Sequence, residues 1–188
     1  MSWLIFFSDN GGLETDAAQT PLKRGKGWFY EGGIREPFIV RWKAKIKPQT
    51  ISTSMVSSID FLPTFLELAG INGMPRNVDG KSMVPILNNP AAEIHQALFW
   101  HFPHYHNGPP CGTVRDGNWK LIEWYEKSLL GDREHAFELY NLEEDEGETI
   151  NLADSLKAKT EELANELQKW REDVNAQMMV PNPSYTDK

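Results

Sequence analysis

The hydrophobic pattern opens with a short apolar run, Trp3 to Phe7, that ends at the polar and glycine-rich segment 8–12. An unbroken apolar run of this length is typical of a strand covered on both faces, as in a parallel sheet. A second apolar run, Phe38 to Trp42, predicts another strand. Residues 13–37 between them are polar and rich in glycine, which predicts a long loop, and long loops in compact domains are often functional.

Two short helices are predicted next. The first spans residues 60–70, with Asp60 as the N-cap, Pro63 in the first turn and Gly70 as the C-terminal stop. The second spans residues 82–87 and has the same arrangement of cap and proline. The apolar positions of the first helix, which should pack on one face, are Leu62, Phe65, Leu66 and Ala69.

Beyond residue 90 the pattern changes to short runs with strand-like composition, separated by turn signals, which predict an antiparallel sheet. From Asp154 the period becomes helical, and we expect a helix to about Ala176, followed by a tail from Pro181. The predicted strands are 97–102, 112–115, 119–125 and 136–140.

The composition is that of an acidic globular domain of 188 residues, with 40% hydrophobic content. The 19 Lys and Arg residues against 27 Asp and Glu residues give a net charge of −8, which disfavours a nucleic-acid partner because few cations could neutralise phosphates. The single cysteine cannot form an intrachain disulfide. Apolar runs are far shorter than the roughly 20 residues of a membrane-spanning helix, and no secretory signal is recognisable, so no membrane partner is predicted.

Asp9 and Asn10 directly follow the first predicted strand, where ligands of open α/β sheets collect. Their side-chain oxygens are hard donors suited to Ca²⁺ or Mg²⁺, although such a cation needs further ligands. The Asp-Asn-Gly-Gly sequence equally suits a tight turn without a ligand. The local residues leave both interpretations open.

Lys26 stands between Gly25 and Gly27, where the missing side chains let a ligand approach the backbone. Its ammonium is a compact charge suited to a sulfate or phosphate oxygen. A nucleotide P-loop is excluded, because that motif needs Ser or Thr after the lysine and an upstream glycine, and Gly27 and Thr20 occupy those places. A solvated loop lysine is the alternative.

Three histidines, His101, His104 and His106, lie close together in a segment that also contains Trp100. Zinc is disfavoured because the Cys and His spacing of known zinc sites is absent. A histidine-rich rim that faces substrate and a set of structural histidines remain open alternatives.

Taken together, the segments 7–12, 25–37 and 60–64, in this order and at this spacing, resemble the C-terminal part of the formylglycine-dependent sulfatases. The resemblance covers nearly the whole chain, and the first two segments together are its most specific part. Weaker landmarks of the same family are residues 79–82, 119–122 and 138–142.

The resemblance implies roles for the candidate residues. Asp9 and Asn10 match two of the ligands of the active-site calcium, and Lys26 matches the catalytic lysine that contacts the sulfate group. His101 and His104 are then candidates for substrate binding. Metal polarisation together with a lysine charge is the electrostatic half of sulfate-ester cleavage.

The nucleophile implied by the family, by contrast, has no match. It is a hydrated formylglycine made from Cys or Ser in a Cys/Ser-x-Pro-x-Arg motif that precedes the Asp-Asn pair. Cys111 follows that pair and has Thr113 where the motif needs proline, so an inert cysteine is the better interpretation. The other calcium ligands and sulfate-contacting residues of the family are also unmatched.

The fold that the resemblance implies is α/β. Residues 1 to about 90 would close a large alkaline-phosphatase-like α/β/α domain, and residues 91–188 would form a small antiparallel sheet packed on a long C-terminal helix. The chain would then be the trailing part of a larger extracytoplasmic enzyme. An unpaired edge at residues 3–7 predicts self-association.

The predicted activity is hydrolysis of a sulfate ester, either a sulfated carbohydrate or an aryl sulfate. A related hydrolase of phosphate or phosphonate esters is one alternative. A noncatalytic module that binds a glycan or a protein partner is another.

We expect the isolated chain to be catalytically silent, because two metal ligands hold a cation poorly and no nucleophile is matched. Turnover of an aryl sulfate by the purified chain is the measurement. Release of sulfate above the uncatalysed rate would contradict the prediction.

Overall fold

In a computed structural model, the described residues are 2–43, 45–71, 73, 76–132 and 135–180. They form two compact units, one made from the described residues up to 10 and from 35 to 98, and the other from those between 11 and 34 and from 99 to 180. The predicted boundary near residue 90 stays a prediction, and the predicted tail from Pro181 lies outside the described residues. Within the described ranges, no helix has the length and apolar character needed to cross a membrane.

The regular elements alternate between strands and short helices. A single 3₁₀ turn, Ser58–Asp60, precedes the second helix. In chain order the elements are β1 (Leu4–Phe7), α1 (Glu31–Ile34), β2 (Phe38–Arg41), α2 (Phe61–Leu68), α3 (Val84–Asn88), β3 (Ala97–Phe102), β4 (Cys111–Asp116), β5 (Trp119–Trp124), α4 (Tyr125–Leu129), β6 (Phe137–Asn141) and α5 (Lys157–Asp173).

In the first unit, β1 and β2 pair in an antiparallel register that runs from Leu4 opposite Arg41 to Phe7 opposite Phe38. The prediction that β1 is buried on both faces of a parallel sheet is therefore wrong. Leu4 and Phe6 are 62% and 57% exposed, because alternate residues of an antiparallel ribbon point to opposite faces and only one face is packed here. On the packed face, the Phe7 ring meets the ring of Phe61 from α2 edge-on at 5.1 Å.

Helix α2 ends as predicted, since Gly70 adopts a positive φ of 68° just beyond its last turn. The prediction that its apolar side chains pack together on one inward face is wrong. Leu62 and Phe65 are 47% and 44% exposed, and the buried residues are Pro63 and Thr64. Thr64 points inward because its hydroxyl donates to a backbone carbonyl one turn earlier and accepts the Met83 amide at 2.8 Å.

Asp60 is buried, but its carboxylate does not cap α2. Instead it accepts the backbone amides of Ser57 at 2.7 Å and Lys81 at 2.8 Å, and it lies 2.8 Å from Nε2 of His95. The side chain predicted to cap one helix therefore ties three separate segments of the first unit together.

The second unit is built on a four-stranded sheet in the order β3-β4-β5-β6, which confirms the predicted strands to within two residues at each end. The β4–β5 and β5–β6 pairs are antiparallel. Gly117, with φ 55°, makes the predicted turn between β4 and β5. Val114, Leu121 and Leu139, one from each of β4 to β6, are fully buried and form part of the core.

Helix α5 covers this sheet and is shorter than predicted, since it runs from Lys157 to Asp173. Leu163 and Leu167 are fully buried, and Trp170 stacks on Phe99 of β3 with ring centroids 5.1 Å apart. The sequence did not predict α1 or α4, which are four and five residues long, because such short helices carry too little periodicity.

A buried ionic cluster lies at the centre of the second unit. Lys120, in the middle of β5, places its ammonium 3.1 Å from a Glu31 carboxylate oxygen and 2.8 Å from one of Glu148. All three side chains have zero exposure. Arg115 approaches the other Glu31 oxygen at 3.3 Å, and the backbone amide of Glu31 donates to Glu148 at 2.6 Å. The cluster thereby joins the loop before β2, the sheet and the turn after β6.

Replacing Lys120 with methionine should destabilise the protein by about 3–5 kcal/mol, because two carboxylates would stay buried without their cation. Urea unfolding followed by circular dichroism measures the change. Lys157→Met, at an exposed position on α5, is the matched control and should shift the midpoint little. An unchanged midpoint for Lys120→Met would show that the cluster contributes no net stability.

Candidate functional site

Asp9 and Asn10 follow β1 in the first unit, as the sequence predicted. The Asp9 side chain is exposed and that of Asn10 is half-buried. The Ser8 hydroxyl donates to the Asn10 carbonyl at 3.0 Å, which holds the segment in a turn. The structure thus brings the two predicted metal ligands together. The turn is compatible both with a cation site and with a tight turn that holds no ligand.

Glu36, which the sequence analysis did not single out, lies two residues before β2, as Asp9 lies two residues after β1. The Ser8 amide donates to the Pro37 carbonyl at 3.4 Å and so extends the β1–β2 pairing beyond Phe7 and Phe38. One Glu36 carboxylate oxygen, Oε1, is buried without a hydrogen-bond partner among the described residues. Burial raises the pKa of Glu36, and the negative charge of Asp9 adds to that shift.

These donors fit a hard cation in part. Within the described ranges, no three or more His, Cys, Asp or Glu side chains are grouped as a metal site. Asp9, Asn10 and Glu36 offer only oxygen donors, the type that Ca²⁺ and Mg²⁺ prefer. The buried and unpartnered Glu36 oxygen is the kind of group that a cation would satisfy.

Lys26 lies in the second unit, and its backbone is held on both sides while its side chain is exposed. Its amide donates to the Gly12 carbonyl at 2.9 Å, and its carbonyl accepts the side-chain amide of Asn107 at 2.6 Å. Among the described residues, no ion pair or hydrogen bond engages the Lys26 ammonium. A cation held on a fixed backbone and left free at its tip is available to an anionic ligand.

The neighbouring glycines allow this close packing. A Cβ on Gly25 would lie 2.4 Å from the Gly12 carbonyl oxygen. Gly27 has a positive φ of 86°, and a Cβ there would lie 2.6 Å from the ring of His106 and from the side chain of Asn107. The residues flanking Lys26 are therefore glycine because the backbone and the histidine-rich segment approach too closely for a side chain.

His101 and His104 have different surroundings. Both ring nitrogens of His101 are engaged, Nδ1 with the Tyr125 hydroxyl at 2.6 Å and Nε2 with the Gln177 carbonyl at 2.8 Å. Because a carbonyl only accepts, Nε2 donates to Gln177. His104 is exposed and its ring meets Phe102 edge-on at 5.5 Å. His104 is thus the more available of the two for a ligand.

A shallow depression beside the Lys26 loop opens to solvent and encloses about 10 Å³, room for about one water molecule. Its aromatic side is also part of the edge of the core, since Trp28 and Phe29 pack against buried residues there. The aromatic residues of its lining are Trp28, Phe29, Phe102, His106 and Trp124.

The sequence analysis missed Glu36 and Asn107 as site residues. Glu36 had a usable signal, because pairing the two predicted strands end to end already places it near Asp9. Asn107 had none, since its contact with Lys26 joins residues far apart in the chain.

Comparison with known proteins identifies the chain's relatives. The family model described as N-sulphoglucosamine sulphohydrolase, C-terminal, matches residues 24–177. A sulfatase of Formosa agariphila is 36% identical over 186 residues, which cover 89% of this chain and 32% of that protein. Human arylsulfatase A is 30% identical over 182 residues, 87% of this chain and 36% of that protein. The chain therefore spans about a third of the length of these relatives.

A solved structure agrees with the sequence relatives. The crystal structure of Ps i-CgsB in complex with k-i-k-neocarrahexaose superposes with a TM-score of 0.72 and 29% identity, over 89% of this chain and 36% of that one. The resemblance to the C-terminal part of sulfatases, with the alkaline-phosphatase-like fold, is confirmed.

Cys111 should not behave as a reactive thiol. Its side chain is buried, and burial, followed by the negative charge of Glu138, raises its pKa to about 12, so that very little thiolate exists near neutral pH. Iodoacetamide at pH 8 should leave the native chain unmodified by mass spectrometry and label it once urea unfolds it. Rapid labelling of the native chain would contradict this.

Proposed function

We propose that this chain, which belongs to the N-sulphoglucosamine sulphohydrolase C-terminal family, supplies metal-binding and sulfate-binding residues to a sulfuric ester hydrolase. The observation that carries the proposal is the exposed Lys26 ammonium on a backbone that Gly12 and Asn107 hold in place. Since the chain covers about a third of its relatives, hydrolysis belongs to a protein that also contains the nucleophile.

In this proposal Lys26 binds the sulfate group and stabilises the charge that develops as the ester bond breaks. A fixed cation is effective here because little reorganisation is needed at the moment of reaction. The hydrogen bond from Asn107 to the Lys26 carbonyl and the tight glycines support such preorganisation. Lys23, by contrast, donates to the Tyr140 hydroxyl and the Glu148 carbonyl, both at 3.1 Å, and is already engaged.

Asp9 and Asn10 are proposed to hold Ca²⁺, with carboxylate and amide oxygens as donors. The bound ion would act as a Lewis acid toward a sulfate oxygen. The turn made by Ser8 presents both side chains at the end of β1. Two such donors do not complete a calcium shell, which needs six to eight oxygens, so residues outside this chain are expected to contribute.

The proposed substrate is a sulfated carbohydrate. The aromatic side chains beside the Lys26 loop support this, because their rings suit the apolar face of a sugar while the lysine suits its sulfate. The complex of Ps i-CgsB with a neocarrahexaose shows a saccharide bound to a protein of similar fold. His104 is the proposed polar contact with the saccharide, and His101 is a weaker candidate because both of its ring nitrogens are engaged.

Aryl sulfate is the second proposed substrate class. An extracytoplasmic location is proposed from the family.

A chimeric enzyme tests the proposal. Residues 1–188 would replace the matching part of the Formosa agariphila sulfatase, and hydrolysis of sulfated saccharides, an aryl sulfate and the corresponding phosphate esters would be measured. We expect activity on sulfate esters, and Lys26→Ala should lower kcat about 10²–10³-fold, the effect of removing one preorganised electrostatic group.

Lys81→Ala is the control for the chimera, because Lys81 contributes its backbone amide to Asp60 and an alanine retains that bond. It should change kcat little. A folded and active chimera that is insensitive to Lys26→Ala would overturn the role of Lys26. Preference for phosphate esters would favour the related hydrolase class instead.

A further inference from the structure

Lys26 lies at the centre of a tight turn. The Trp28 amide donates to the Gly25 carbonyl at 3.1 Å, which closes a β-turn whose two central residues are Lys26 and Gly27. Of these two, only Gly27 has a positive φ, 86°. This is close to the value of about +80° that a type II turn requires at that position. The structure therefore presents the lysine on a turn of defined type.

Residues 25–28 could also form a second kind of turn. Types I and II differ mainly by a flip of the central peptide, which here carries the Lys26 carbonyl. Glycine tolerates both orientations, so Gly27 by itself does not choose between them. A contact from outside the turn is needed to hold one orientation.

Asn107 supplies that contact. Its side-chain amide donates to the Lys26 carbonyl at 2.6 Å. A flip of the central peptide would turn this carbonyl away from Asn107 and break the hydrogen bond. The two residues also pack closely, since a Cβ on Gly27 would lie 2.6 Å from the Asn107 amide nitrogen. Asn107 thus favours the orientation in which Gly27 has its positive φ.

The segment that carries Asn107, residues 106–108, is shaped for this contact. The His106 amide donates to the Gly108 carbonyl at 3.2 Å, which places Asn107 at the tip of a closed turn. A Cβ on Gly108 would lie 2.5 Å from the ring of Trp28, so the segment approaches the lysine turn closely there as well. The hydrogen bond from Asn107 is therefore made between two restrained pieces of backbone.

We propose that Asn107 is a positioning residue for Lys26: it selects the type II turn and so holds the ammonium where the sulfate group binds. This rests on the proposed function, which gives Lys26 its role. Asn107 touches neither the substrate nor the reacting atoms, so its effect on the reaction passes through Lys26. Without its hydrogen bond the turn samples both peptide orientations, and part of the preorganisation of the charge is lost.

The first measurement is amide hydrogen exchange of the 188-residue chain by NMR. We expect Asn107→Ala to speed exchange of the Trp28 amide about fivefold to tenfold, the effect of losing one hydrogen bond of ordinary strength. The amides of the buried strand β5 should keep their rates. Asn165→Ala, at an exposed position on α5, is the matched control and should leave the Trp28 amide unchanged. Equal Trp28 exchange in Asn107→Ala and the unaltered chain would overturn the inference.

The second measurement is a double-mutant cycle on the kcat of the chimera. Asn107→Ala should lower kcat about tenfold to a hundredfold, the loss that a small misplacement in an active site can cause. In the Lys26→Ala background the same change should alter kcat less than about twofold, because Asn107 then has no ammonium left to position. A residue that merely supports the fold would lower kcat by the same factor in both backgrounds.

The outcomes separate this inference from the proposed function. If Lys26→Ala lowers kcat but Asn107→Ala has equal effects in both backgrounds, the positioning role is overturned and Lys26 keeps its own. If Lys26→Ala leaves kcat unchanged, the proposed function falls and this inference with it. Because the exchange measurement uses the chain alone, it decides whether Asn107 holds the turn even where the chimera does not fold.

Discussion

The buried ammonium of Lys120 is the interaction on which the second unit depends. It lies in the middle of β5 and neutralises two carboxylates, Glu31 and Glu148, that have no exposure to solvent. Burying three charges is costly, and such a cluster persists only when each member keeps its partners. The arrangement therefore fixes where the glycine-rich loop meets the sheet, and Lys26 lies five residues before Glu31 on that loop.

The chemistry assigned to the chain lies where its own contacts are incomplete. The Lys26 ammonium is exposed on a held backbone, and one Glu36 carboxylate oxygen is buried without a donor among the described residues. Local conflicts of this kind, in an otherwise consistent structure, are typical of functional positions because a ligand resolves them. Residues that only support the fold have complete contacts by contrast, since the Asp60 carboxylate is hydrogen-bonded to three partners.

Sequence patterns predicted the antiparallel sheet well, and β3 was predicted with its observed bounds, Ala97–Phe102. They failed where burial depended on a neighbour far along the chain. An apolar run such as β1 signals a buried strand, yet its partner β2 covers only one edge, and Leu4 and Phe6 stay largely exposed in this chain. The prediction of the apolar face of α2 failed for the same reason, because the hydrogen bonds of Thr64 with Asp60 and Met83 turn its own face inward.

By itself, the sequence determined the family, the order of the strands and longer helices, and the candidate residues Asp9, Asn10 and Lys26, because these depend on short motifs and local periodicity. Only the tertiary structure decided that β1 and β2 pair as an antiparallel ribbon and that Asn107 holds the Lys26 loop. Strand register and contacts between distant segments come from packing, which sums many weak interactions across the chain, so no local pattern specifies them.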